Sequence, residues 1–146
     1  LEPFYSNINK RLAKTPKLYF LETGLASWLT EWSSAATLEA GVMSGAMLES
    51  WVVSELLKSY WHNGLRAPFF YYRDHNLKEI DLLISLDGRL NPIEIKKSAH
   101  PTKEMLRHFK VLESLKQPID RGGVISLAPT WLPITERVDA IPIGMV

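Results

Sequence analysis

The chain has 146 residues, 46% of them hydrophobic, with no cysteine and a formal net charge of +1. That length and apolar content suffice for one domain-sized core, and the missing cysteines exclude disulfide staples, thiolate metal sites and thiol nucleophiles. The near-neutral balance excludes a globally basic phosphate binder, so any such attraction must come from a local patch, for which Lys96, Lys97, Lys103, Arg107 and Lys110 are the candidates.

No apolar run approaches the ~20 residues that span a bilayer, and the N-terminus lacks the charged-then-apolar form of a secretion signal. A soluble cytoplasmic protein with no membrane contact is the expectation. The chain begins at Leu1 without a methionine, which predicts a part of a longer protein. Residues 7–17 are basic and polar and end at Thr15-Pro16, an extended lead-in. Residues 18–20 are expected as a short strand. Residues 22–32 form a helix with Leu21, Leu25, Trp28, Leu29 and Trp32 as its apolar stripe, and residues 33–41 are a loop or a short broken helix. Residues 1–35 are thus expected as a small helical appendage to a main domain over 36–146.

A long helix is predicted over Ser44–His62 and stopped by Asn63-Gly64. At 100° per residue Ala46, Glu49, Val52, Val53, Leu56 and Tyr60 share one stripe, while Glu55 and Lys58 point away from it. A carboxylate on an apolar face is costly unless paired, hydrogen-bonded or on a metal. Glu49 is therefore expected to reach the edge of a sheet that carries further acids.

Phe69–Arg73 reads as a strand and residues 74–78 as a turn. Residues 80–96 form a hairpin about Asp87-Gly88, a strong two-residue turn signal. Strict alternation sends Ile80, Leu82, Ile84 and Leu86 to one face, and Asp81, Leu83 and Ser85 to the other. With Leu86 opposite Arg89, Leu82 faces Ile93 and Asp81 faces Glu94. Directly opposed like charges are destabilising, so something must offset them: Lys96, on the same face, or a divalent cation, since Mg²⁺ is held by one or two carboxylates plus phosphate and water. Pro92 removes a ladder donor and predicts an edge or bulge near that point.

Thr102 is placed as the N-cap of a further helix that buries Met105, Phe109, Leu112 and Leu115. Residues 123–128 are a buried strand, and residues 139–144 an added edge strand. The order of helix, three strands, helix, strand defines an α/β fold with a mixed sheet. His62, His75, His100 and His108 lack the paired spacing of zinc sites and are expected at the surface or as caps. Trp28, Trp32, Trp51, Trp61 and Trp131 are expected as core or interface anchors.

The order Glu49, Asp81, Glu94-Ile95-Lys96 resembles the PD-(D/E)XK nuclease superfamily over about two thirds of the chain, with Ile80 where the motif's name has proline. The resemblance implies a restriction-endonuclease-like αβββαβ core, a mixed central sheet flanked by helices. It implies Asp81, Glu94, Lys96 and Glu49 as catalytic residues, and Asp81, Glu94, the Ile95 carbonyl and Glu49 around Mg²⁺ or Mn²⁺. Arg73, Lys97, Lys103 and Arg107 are the candidate contacts to DNA phosphates.

Across nearly the whole chain, residues 14–25, 45–57 and Phe70-Tyr-Tyr-Arg73 with the hairpin are similar to the domain-of-unknown-function 4143 family, Glu22 standing where an aspartate is usual. That resemblance implies an attached N-terminal P-loop ATPase of the AAA type. The chain itself has no G-x-x-x-x-G-K-[ST] loop, so no nucleotide is expected to bind here by that route. Two functions stand open: a Mg²⁺-dependent nuclease acting on DNA, and a catalytically silent module that binds DNA, protein or its own ATPase part. Exposed tryptophans would point to that ATPase part or to a second copy in a homo-oligomer.

Overall fold

The computed structural model describes residues 1–4, 15–32 and 34–146, so most of the lead-in expected over residues 7–17 lies outside the described residues, as does Ser33. The described chain forms two compact units, Leu1–Leu18 with Pro68–Met145, and Tyr19–Ala67 with Val146.

The first unit is built on a seven-stranded mixed sheet: β1 (Glu2–Pro3), β2 (Phe69–Arg73), β3 (Glu79–Leu86), β4 (Arg89–Lys96), β5 (Gly122–Ser126), β6 (Leu132–Thr135) and β7 (Val138–Pro142), in the spatial order β1-β2-β3-β4-β5-β7-β6. β2, β3 and β4 run antiparallel in succession, β5 joins β4 in parallel, and β7 joins β5 in parallel. The β3–β4 hairpin has the expected register, with Leu86 opposite Arg89 and Leu82 opposite Ile93. Asp87 and Gly88 both take positive φ, 48° and 73°, as the tight hairpin turn requires.

The strict alternation expected along β3 does not hold. Phe70 pairs with Leu83 but Tyr72 pairs with Ile80, so β3 carries one residue more than β2 across this stretch. Such a bulge shifts the phase of the side chains, and Ile80 therefore joins Leu83 in one buried cluster with Phe4, Tyr72, Leu90 and Leu112. The bulge falls beside Asp81.

Pro92 sits inside the sheet rather than at an edge, buried and paired with Leu83. Its missing donor is tolerated because the β4–β5 ladder begins only at Ile93–Gly123. Gly122 is required there: a Cβ would stand 2.9 Å from the Pro92 carbonyl oxygen and 3.0 Å from Phe109 Cε2. Gly122→Ala is expected to lower stability by about 1–3 kcal/mol, read as a fall in the urea midpoint. Gly144→Ala is the matched control, since nothing lies within 4 Å of its added methyl.

The crossover from β4 to β5 departs from the expected helix. It consists of two 3₁₀ segments, Lys103–Leu106 and Phe109–Ser114, and Thr102 makes no side-chain cap. Only Leu112 of the expected buried face is fully enclosed, while Phe109 and Leu115 pack partly against the Ile80–Leu83 cluster. Residues 18–20 form no strand; β1 beside β2 takes the place of the expected early strand. β7 is internal rather than an edge, and the edge is β6, where Pro133 is tolerated because the strand has one neighbour only.

The second unit holds α1 (Thr23–Leu29), α2 (Ala35–Ala40) and α3 (Ser44–His62), with α1 and α2 each contacting α3. Ser34 and Thr37 form a reciprocal capping box at the start of α2. The long helix has the expected bounds, with Gly64 at φ 67° beyond its end. Its buried residues are Ser50, Val52, Val53 and Ser54, whereas Ala46 is exposed and Glu49 half-buried. The stripe expected on α1 is not buried: Leu25, Trp28 and Leu29 are exposed and Ala26 is the enclosed residue. Two helical turns present only one narrow face for packing, and here the small residue occupies it.

Candidate functional site

The β3–β4 ladder ends at Leu82–Ile93, and the next pair of residues on the shared face is Asp81 and Glu94. Past that point the Asp81 side chain replaces the strand's backbone as acceptor, its Oδ2 taking the Ile95 amide at 2.9 Å. A residue's N–H and C=O face the same neighbour in an antiparallel pair, so the Ile95 carbonyl lies on the β3 side of β4, as its amide does. The bulge in β3 and the early end of the ladder together bring two carboxylates and the Lys96 ammonium to this end of the hairpin.

Lys96 Nζ lies 3.0 Å from Asp81 Oδ2 and 2.5 Å from Glu94 Oε2. The two acids therefore stand no farther apart than those two contacts laid end to end. Glu94 is 2% exposed, and its other oxygen, Oε1, is buried without a hydrogen-bond partner. Burial, with the Asp81 charge adding to it, pushes the Glu94 carboxyl up to about 8. Burial pulls the Lys96 ammonium down, but the surrounding Asp81 and Glu94 carboxylates outweigh that and hold it above its ordinary value.

From Glu94 and Lys96 a pocket of about 270 Å³ extends beneath the crossover, its wall including Thr102, Glu104, Met105, Arg107 and His108. Of the residues proposed to touch phosphate, Arg107 lines this pocket. Lys103 and Lys97 are exposed and outside its wall. Arg73 instead holds a carboxylate: it pairs with Glu79, which also accepts Lys17 at 2.6 Å. Glu49 belongs to the second unit, where Tyr19 Oη donates to its Oε1 at 2.5 Å.

His108 was expected at the surface or as a cap, and the structure places it half-buried in the pocket wall with Nδ1 3.0 Å from the Glu79 carbonyl oxygen. Paired spacing marks histidines that bind zinc, whereas a lone ring anchored to a strand's end leaves no such pattern in the sequence. His62, His75 and His100 are exposed. Among the tryptophans, Trp28, Trp61 and Trp131 are exposed and Trp32 and Trp51 half-buried, so none is a buried core anchor.

The donor set is hard oxygen throughout: Asp81, Glu94 and the Ile95 carbonyl. An unpartnered buried carboxylate oxygen beside a second acid fits a divalent cation of the Mg²⁺ or Mn²⁺ type. Among the described residues no helix is long and apolar enough to cross a membrane.

A mixed seven-stranded sheet with a paired-acid and lysine site at the end of a hairpin is the class that fold and site define. The model of the family described as "Domain of unknown function (DUF4143)" matches residues 44–146, and the chain belongs to that family. It is 33% identical over its whole length to the uncharacterized proteins Mb2031c of Mycobacterium bovis and Rv2008c of Mycobacterium tuberculosis. The chain spans about a third of the length of these curated relatives, 32% in each case. No solved structure matches it.

Proposed function

We propose that the chain is a metal-dependent phosphodiesterase domain of the PD-(D/E)XK type that acts on DNA. The observation that carries this reading is the orphaned, buried Glu94 Oε1 beside Asp81, reached from a pocket walled by Lys96 and Arg107. Asp81, Glu94 and the Ile95 carbonyl would hold Mg²⁺ or Mn²⁺, which supplies charge neutralisation at a phosphate and acidifies water. Lys96 orients the attacking water and stabilises charge developing on phosphate, and Arg107 holds the substrate's backbone.

A second reading is favoured by one observation. Lys96 already bridges both carboxylates, as it would in a module whose lysine has permanently replaced a metal, and which binds DNA, protein or an attached ATPase. The remaining two thirds of the relatives' length leaves room for such an ATPase part.

The discriminating experiment is incubation of linear, supercoiled and single-stranded DNA with the purified protein and Mg²⁺ or Mn²⁺. Cleavage that falls about 10²-fold or more in both Asp81→Ala and Lys96→Ala is expected. A protein that leaves all three substrates intact returns the silent module.

A further inference from the structure

In the pocket wall Arg107 is hydrogen-bonded to His108, a residue to which the proposed chemistry gives no role. Arg107 and His108 occupy the junction between the two 3₁₀ segments, and Arg107 Nε stands 3.2 Å from His108 Nε2. An arginine has no acceptor to offer, so His108 Nε2 must accept from it. The ring's only proton is then on Nδ1, which donates to the Glu79 carbonyl oxygen at 3.0 Å. The neutral tautomer is fixed by both contacts. Glu79 begins β3, two residues before Asp81. His108 therefore ties the arginine's orientation to the strand that carries the first acid.

We propose that His108 is a positioning residue that holds Arg107 in a phosphate subsite beside the acid pair, which takes the backbone phosphate next to the scissile one in a single-stranded segment. The inference rests on the phosphodiesterase reading for the word scissile, though not for the subsite. A guanidinium whose Nε is already engaged keeps its terminal nitrogens for an incoming oxyanion, in a fixed plane. Thr102 adds a hydroxyl on the same wall. A pocket of about 270 Å³ is far below what a duplex occupies, and fits one nucleotide unit of a flexible strand. Glu104 also lines it, an opposing charge that sets the affinity lower than the cations alone would give.

The test is fluorescence anisotropy of a labelled oligothymidylate with the full-length protein in Ca²⁺ at low salt. Arg107→Ala is expected to weaken binding about tenfold and to reduce the slope of log K against log salt by about one. His108→Asn retains a donor toward the Glu79 carbonyl, and with it the melting temperature, but lacks the Nε2 acceptor. It is expected to weaken binding nearly as much as Arg107→Ala. The double variant should bind no worse than Arg107→Ala alone, because one substitution acts through the other, and Glu104→Gln should bind more tightly than the parent.

An unchanged affinity in His108→Asn, additive losses in the double variant, or no binding by the parent overturns the proposal. So does displacement of the oligonucleotide by an equal concentration of inorganic phosphate, which marks a site for the free ion. Mn²⁺ binding, measured separately by calorimetry, reports on the acid pair: its absence removes the phosphodiesterase reading and leaves the subsite standing on the anisotropy data.

Discussion

In metal-free buffer, Glu94→Gln is expected to be more stable than the parent at pH 8 and above, and to show a flatter dependence of stability on pH. The Glu94 carboxyl titrates at about 8 in the folded chain against an ordinary 4.5. Below pH 4.5 both folded and unfolded chains hold the proton. Between 4.5 and 8 the folded chain keeps a proton that the unfolded chain has lost, so stability falls as pH rises through that window and levels off above it. At ~1.4 kcal/mol per pKa unit the full loss is on the order of a few kcal/mol. Glutamine removes the titration and preserves the shape, and its amide can donate to Asp81 as the protonated acid can.

The raised Lys96 does not interfere with this window. Its contribution is lost only as pH rises through its own, higher range. Urea midpoints of the two proteins from pH 5 to 9 in chelator measure the difference. Curves that run parallel across the range would show that the Glu94 charge is compensated in the folded state, and the shift would then have no thermodynamic weight.

The hairpin was legible because its determinants are local. Asp87-Gly88 fixes the turn, the turn fixes the register as far as Leu82 opposite Ile93, and Asp81 and Glu94 are the residues next beyond that pair. The bounds of Ser44–His62 were legible for the same reason, since Gly64 and the 3.6-residue pattern both act within one element. What failed depended on partners remote in sequence. The bulge at Asp81 exists because β2 pairs with β3 in a register that Phe69–Arg73 does not announce.

The crossover illustrates a different loss. The spacing of Met105, Phe109, Leu112 and Leu115 fits a helix, yet the chain tightens into 3₁₀ turns there, with Arg107 and His108 at the break between them. The pocket wall follows from that break, so a reading that draws one continuous helix cannot place His108. β6 left no alternating pattern to read, and it carries Pro133, which interior strands exclude and an edge strand accepts.

The strongest separation of the two functional readings is expected from Lys96→Ala with and without Mn²⁺. In the parent, one ammonium lies against both carboxylates, and it is the cation the structure provides for a carboxylate 2% exposed. Where Glu94 is ionised, removing one partner of a buried pair costs about 3–5 kcal/mol, and because the Lys96 side chain is 37% exposed the lower end of that range applies; at lower pH the Glu94 proton softens the loss. In a silent module nothing replaces the lost charge, and Mn²⁺ leaves the variant's melting temperature where it was. In the metal-dependent reading, Mn²⁺ takes over the neutralising role and restores stability, by about 2.7 kcal/mol at a hundredfold excess over the dissociation constant. The restoration should grow as pH rises, because Glu94 must lose its proton to act as a ligand, and it should continue to higher pH than the parent's titration, since Lys96 no longer holds the carboxyl down; this is opposite in sign to the metal-free trend. Adding Asp81→Ala to Lys96→Ala should abolish it, since one carboxylate and one carbonyl do not hold a hard cation that retains most of its water. Thermal melts of the three proteins over a range of pH, in Mn²⁺ and in chelator, separate the alternatives without requiring that a substrate be known.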